Sequence, residues 1–193
     1  AGIEDMAFEC PEEQYEGHFK EKGFNPIEIR NAAHCWVKNV RMTNVDNGPF
    51  LRGVFGTVDG ISFDAGRKRV GPGGMSGHHG VSLEGGDGLC TRFEFDSKFY
   101  HDVTVSGGSM GNVISKGKAV DFNMDHHRWC PYENLFTDID AGKGTRLFSS
   151  GGGGDRGNHT GAGATFWNIR TKEAQVWPST YGIERMNLVA LRI

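Results

Sequence analysis

Apolar residues recur along the chain with one spacing, apolar-x-x-apolar-x-apolar. Ile3, Met6 and Phe8 show it, as do Val37, Val40 and Met42; Val58, Ile61 and Phe63; Cys90, Phe93 and Phe95; and Ile183, Met186 and Leu188. Shortened copies stand at Phe136 with Ile139 and at Phe166 with Ile169, and Val113-Ile114 in "GNVISKG" is a degenerate member. These roughly eight copies lie about 20 to 34 residues apart, within the range of chains built from stacked structural repeats. Between them fall shorter segments in which apolar and polar residues alternate: "PIEIRN", "PFLRG", "GVSLEG", "DVTVSG", "AVDFNMD", "TRLFSSG" and "AQVWPS". Alternation of this kind marks a strand with one buried and one wet face.

Two strands per repeat, joined by Gly, Asn and Asp corners, predict an all-β fold. It is a right-handed parallel β-helix of about seven to eight coils, spanning 1–193 as one domain. A β-sandwich would need hairpin turns between neighbouring strands, whereas here similar segments recur one repeat apart. Cys90 falls on the interior ladder position of Ile3 and Val37, which assigns it the role of a small buried hydrophobe. The chain opens on a ladder strand at Ile3 and closes on another at Val189, Leu191 and Ile193, with no capping helix. Bare strand edges invite pairing, so the expectation is a segment of a longer protein, with flanking domains or end-to-end self-association covering the edges.

Composition agrees: 30 of 193 residues are glycine and 11% are aromatic, which suits short strands and tight corners rather than a helical bundle. A net charge of −3 gives no general attraction to nucleic acid or to an anionic membrane. No apolar run approaches the roughly 20 residues of a membrane span. Cys10, Cys35, Cys90 and Cys130 follow no metal-binding spacing, and they leave one disulfide, two, or none open. The sequon Asn158-His159-Thr160 is compatible with secretion.

Aligning the short strands sorts their outward residues into columns. The first holds Glu28, Ser82, Thr104 and Asp121, with Arg146 next; the second holds Arg30, Arg52, Glu84, Ser106 and Asn123. His79, His101 and Lys118 precede these strands in matching places, and Asp125-His126-His127-Arg128 follows "AVDFNMD". The glycine-rich stretch "SSGGGGDRGNHTG", carrying Asp155, Arg156 and His159, is placed over the same groove. Adjacent histidines on a strand point to opposite faces, so one of each pair is expected in the groove. The four tryptophans, Trp36, Trp129, Trp167 and Trp177, are assigned to packing over the repeats. Zinc-type spacing is absent, whereas Asp121, Asn123 and Asp125 offer oxygen ligands suited to calcium.

In segments such as "HCWVKNVRMTNVD" and "YENLFTDIDAG" the chain resembles the pectate-lyase-like superfamily of right-handed β-helix proteins, over nearly its whole length. The resemblance implies a secreted or periplasmic protein acting on a polysaccharide laid along the groove. Two finer likenesses stop short. "TVDGISFD" and "SGHHGVSLEGG" are similar to polygalacturonase motifs, which implies Asp59 and His79. Thr57 replaces the expected asparagine, however, and the paired carboxylates of an inverting hydrolase are missing. "MDHHR" is similar to an alginate-epimerase motif but departs from it at His126 and Arg128.

The resulting expectation is a polysaccharide lyase or related uronate-acting enzyme. Elimination needs a base, a cation to neutralise the substrate carboxylate, and a proton for the departing oxygen. His126 or His79 is the expected base, Arg128 or Arg146 the neutraliser, and Lys118 or His101 the second proton-transfer group. Glu84, Asp121, Asn123, His127, Arg146, Arg156 and His159 would bind or orient substrate. No cofactor is required, although calcium would fit. The alternatives are a non-catalytic glycan-binding or self-assembling module, and a glycoside hydrolase built on Asp121 with Asp102 or Asp125.

Overall fold

The computed structural model describes residues 1–176, 178–179, 181–182 and 186–190. Fifteen strands are found among them: β1 (Gly2–Glu9), β2 (Glu28–Ala33), β3 (Trp36–Thr43), β4 (Phe50–Val54), β5 (Thr57–Asp64), β6 (Met75–Leu83), β7 (Leu89–Thr91), β8 (Glu94–Phe95), β9 (Lys98–Val105), β10 (Val113–Ser115), β11 (Lys118–Ala119), β12 (Met124–His126), β13 (Leu135–Asp140), β14 (Thr165–Arg170) and β15 (Asn187–Val189). Every ladder between them is parallel. The larger sheet runs β1-β3-β5-β7-β10-β13-β14-β15, with β8 and β11 extending its middle. The smaller sheet runs β2-β4-β6-β9-β12. In its first five repeats the chain alternates between the two sheets, and each strand pairs with its counterpart one repeat later. Parallel neighbours cannot be joined by hairpins, so the crossovers are obligatory.

The apolar spacing has a backbone cause. In each full repeat of the larger sheet, one residue of the x-x pair takes a left-handed conformation: Asp5, Asn39, Gly60, Arg92, Lys116, Asp138 and Asn168, with φ between 50° and 71°. That single residue breaks the two-residue alternation, so apolar side chains three apart both point inward. Asn and Asp tolerate the left-handed region better than other non-glycine residues. Here they also bond along the column, Asn39 Nδ2 donating to Asp5 Oδ1 at 2.6 Å and Asn168 Nδ2 to Asp138 Oδ1 at 2.7 Å.

Inside, Ile3, Val37, Val58, Cys90, Ile114, Phe136, Phe166 and Leu188 stand in one continuous register. Six of these eight are fully buried, Cys90 among them. Phe8, Met42, Phe63, Phe95 and Ala119 form a second file, in which the Phe63 and Phe95 rings stack at 4.5 Å. In the last repeat Leu188 takes the first ladder position; Ile183, Trp177, Leu191 and Ile193 lie outside the described residues. All four thiols are free.

The alternating segments behave less uniformly. Five of the seven contribute strands to the smaller sheet, whereas "TRLFSSG" and the described part of "AQVWPS" contribute none. Met124 N–H still donates to Leu147 C=O at 2.9 Å, marking where a further strand would begin. Beyond it the chain turns away through the glycine run. Trp129 and Trp167 are exposed rather than packed.

Candidate active site

The smaller sheet aligns Glu28, Phe50, Ser82, Thr104 and Asp125 in one outward column, and Ile29, Leu51, Leu83, Val105 and His126 in the inward column beside it. The sequence alignment had placed Asp121 beside Thr104; the true register is four residues later, at Asp125. Of the pair His126-His127, the sheet therefore sends His126 into the core, where its ring lies 5.2 Å from Phe136, 5.4 Å from Phe166 and 5.3 Å from Tyr181. His126 is corrected from catalytic base to core residue, and His127 is the member that faces outward.

The pair His78-His79 breaks the alternation rule. A β-carbon built on Gly77 would strike the Phe99 ring, and one on Gly80 the Phe95 ring, so both glycines face the interior. Two residues between two inward positions must both turn outward. The ladder irregularity between Met75 and Gly77 accommodates this. His79 stands in register with His101.

These placements gather five histidines. Ring centroids are separated by 4.2 Å for His78 and His79, 4.8 Å for His79 and His101, 5.1 Å for His101 and His127, and 4.3 Å for His18 and His78. His18 comes from the strandless segment 10–27, whose pattern gave no sign of it, and its ring stacks on Tyr100 at 5.1 Å. Glu21, from the same segment, places Oε1 3.1 Å from His78 Nδ1 and accepts from Tyr15 Oη at 2.8 Å. The segment is tied down by Asp46, which accepts from the Gly23 and Phe24 N–H groups at 2.8 Å and pairs with buried Arg69.

Asp125 lies at the base of the cluster, fully buried. Its Oδ2 accepts from His127 Nδ1 at 2.8 Å and from Thr104 Oγ1 at 3.0 Å, and its Oδ1 accepts from Gly151 N–H at 2.8 Å. Thr104 spends its only proton on Asp125, so the 3.2 Å contact with His79 Nδ1 requires that nitrogen to carry the donor. His101 Nδ1 lies 3.3 Å from the same Oδ2 without hydrogen-bond alignment. Burial pushes His78 and His101 down to about 4 and His79 well below its usual value. Burial alone would raise the Asp125 carboxyl, but the His127 hydrogen bond, the neighbouring rings and the Gly151 N–H outweigh it and hold it well below the usual carboxylate range. At neutral pH the Asp125 anion therefore lies beneath the neutral rings of His78, His79 and His101.

The glycine run closes one wall. A methyl on Gly151 would lie 2.6 Å from His127 Cε1 and 2.9 Å from His101 Cε1, so only glycine lets the backbone approach. Arg128 fastens this wall, its Nε donating to Gly152 C=O at 3.1 Å and its Nη1 bonding Gly157 C=O.

The other predicted residues go elsewhere. Lys118 is on the larger sheet, paired with Glu94, not beside His101. Arg146 pairs with Asp102 and donates to the Phe99 and Asp121 carbonyls at 2.6 and 2.9 Å. Asp121 accepts from Thr145 N–H at 2.9 Å and from its hydroxyl at 2.6 Å. Asn123 is buried, its Nδ2 donating to Arg146 C=O at 3.0 Å. Asp121, Asn123 and Asp125 thus hold separate partners and do not form the calcium cage expected of them. His159 is buried with Nδ1 2.7 Å from His126 C=O, and Arg156 stacks over Trp129 at 4.2 Å. Glu84 stays on the outward face, bonded to Arg52 at 2.9 Å.

No protein-family model matches the chain, and no curated protein or solved structure matches it either.

Proposed function

We propose that the protein is a carbohydrate-active enzyme of the pectate-lyase-like, right-handed parallel β-helix kind, cleaving an acidic polysaccharide by β-elimination at the histidine cluster. The alternation of the chain between two parallel sheets supports the fold reading. The observation that carries the chemistry is the Asp125–His127 pair on the outer face of the smaller sheet. Asp125 fixes the proton of His127 on Nδ1, which leaves Nε2 as a bare acceptor, and the His127 side chain is 24% exposed against 9% for His101. An imidazole oriented by a buried carboxylate is the arrangement that general-base catalysis uses.

In the reaction, His127 Nε2 takes the proton from the carbon next to the uronate carboxylate. The released electron pair forms the carbon–carbon double bond as the bond to the glycosidic oxygen breaks. His127 then delivers the same proton to the departing oxygen, so one group serves as base and then acid. Arg30, Arg52 and Glu84 continue the outward face beyond Phe50, in a direction along which a chain of sugars would lie. A secreted or periplasmic location follows from this substrate class and not from the cysteines.

The test is incubation with a panel of polyuronates and sulfated glycans while following the ultraviolet absorbance of the unsaturated product. A rise on one polymer supports elimination. New reducing ends without that absorbance would replace it with hydrolysis.

A second reading, glycan binding without cleavage, draws on Trp129, which is 54% exposed two residues beyond His127. It predicts retention on a polysaccharide column with no change in the polymer.

A further inference from the structure

The geometry points to a divalent transition-metal site, of the kind that takes Zn2+, formed by His18, His78 and His101. One donor atom from each of these side chains can be chosen so that all lie within 4.8 Å of one another. Three nitrogens around a tetrahedral zinc, each at about 2.0–2.1 Å, are separated by about 3.3 Å. Closing the widest pair takes at most about 1.5 Å, and His18, exposed on a loop, is placed to supply that movement.

A second observation singles this set out from a chance gathering of rings. Metal-bound histidines usually hold a carboxylate at the nitrogen that does not bind the metal, which fixes the ring and raises its basicity. His78 has Glu21 Oε1 at 3.1 Å from Nδ1, and His101 Nδ1 faces Asp125 Oδ2 at 3.3 Å, a charge contact that is not aligned as a hydrogen bond. In both rings Nε2 is the nitrogen that does not face a carboxylate. Glu21 is itself anchored by Tyr15 Oη and by the Phe19 N–H at 3.2 Å, and that anchoring also shapes the turn presenting His18. Three imidazoles with a fourth position open to solvent are the donor set of a zinc site that accepts a water or a substrate oxygen.

The site supplies what the elimination otherwise lacks. The cations that the sequence offered as neutralisers are committed elsewhere, Arg146 to Asp102 and Arg128 to the glycine wall. A metal on His18, His78 and His101 would carry the substrate carboxylate in its open position, with His127 left free as base. This role rests on the reading above, whereas the metal binding does not. The adjacent set His101, Asp125 and His127 also has convergent donors. Using it would consume the base, so the two sets give opposite results for His127 variants.

The experiment is calorimetric titration of the full chain with Zn2+, with the visible absorption of bound Co2+ as a second readout. One ion per chain is expected. His18→Ala and His78→Ala should abolish saturable binding, Glu21→Gln should weaken it about 10- to 100-fold, and His127→Ala should leave it within about 3-fold. His18 is exposed, so its variant keeps the fold, which a thermal unfolding curve checks. Absence of binding, or binding that survives His18→Ala and His78→Ala but is lost in His127→Ala, overturns the assignment. Metal bound with no polymer cleaved would sink the lyase reading and leave the site standing. Cleavage unaffected by a chelator, with no metal bound, would do the reverse.

Discussion

The Asp125 carboxylate accepts the His127 Nδ1–H at 2.8 Å while a second oxygen of the same group accepts Gly151 N–H, also at 2.8 Å. One buried anion thus orients the outward histidine and holds the glycine wall against it. Asp125→Asn keeps the shape but can present its NH2 to His127, which favours the wrong tautomer. We expect turnover to fall on the order of 10^3- to 10^4-fold, as in serine-protease triads that lose this carboxylate, with the thermal midpoint nearly unchanged. Initial rates and a melting curve on the same preparation check both halves.

Gly151→Ala tests the wall independently of any charge. The added methyl must displace the His127 or His101 ring, so activity should drop at least about 10-fold, a 1 Å misplacement at a reacting group being worth about 100-fold. Gly154→Ala, where a methyl meets nothing within 4 Å, should be silent.

His126 makes a prediction about stability. Burial, its dominant cause, lowers this ring to about 4. The unfolded chain, with a value near 6.5, binds the proton first as pH falls. The stabilisation is therefore complete above about 6.5 and is lost progressively down to about 4. The span corresponds to roughly 3 kcal/mol. Urea unfolding across that range should show wild type weakening towards acid, and His126→Phe should be less sensitive by about that amount. Equal pH slopes for the two proteins would contradict the buried placement.

Arg69 and Asp46, each 1% exposed, form an ion pair beneath the segment that carries His18 and Glu21. Removing one partner leaves a buried charge uncompensated and typically costs about 3–5 kcal/mol. Asp46→Ala also frees the Gly23 and Phe24 N–H groups. Denaturant titration should register the loss, and Zn2+ affinity should fall with it because the His18 turn is no longer held.

Asn39 tests the backbone column. At φ 50° a β-branched residue is strained, so Asn39→Ile should cost about 1–2 kcal/mol. Asn39→Gly, matching Gly60 in the next repeat, should stay within about 1 kcal/mol of wild type. Chemical denaturation midpoints decide between them.

The interior files were legible because a parallel ladder repeats its demand: Val37, Val58, Cys90, Ile114 and Phe136 answer the same position, and a spacing of three then two is visible in the letters. The site was legible only in part. His79, His101 and His127 lay within the predicted groove, but which face each side chain takes depends on strand irregularities that residue types do not announce. Gly77 and Gly80 turn both His78 and His79 outward, and the four-residue slip from Asp121 to Asp125 exchanges the fates of His126 and His127. His18 and Glu21 sit in a segment without strand pattern, brought to the sheet by Asp46 and Arg69 over more than 20 residues of sequence. Lys118 and Arg146 looked like free cations because their partners Glu94 and Asp102 are distant in the chain.

The most direct test compares wild type with His127→Ala on the polymer that wild type cleaves, following the unsaturated-uronate absorbance at saturating substrate. The account predicts a fall in kcat of at least about 100-fold, with metal content and melting temperature retained. A His127→Ala protein that forms the chromophore at the wild-type rate would contradict it.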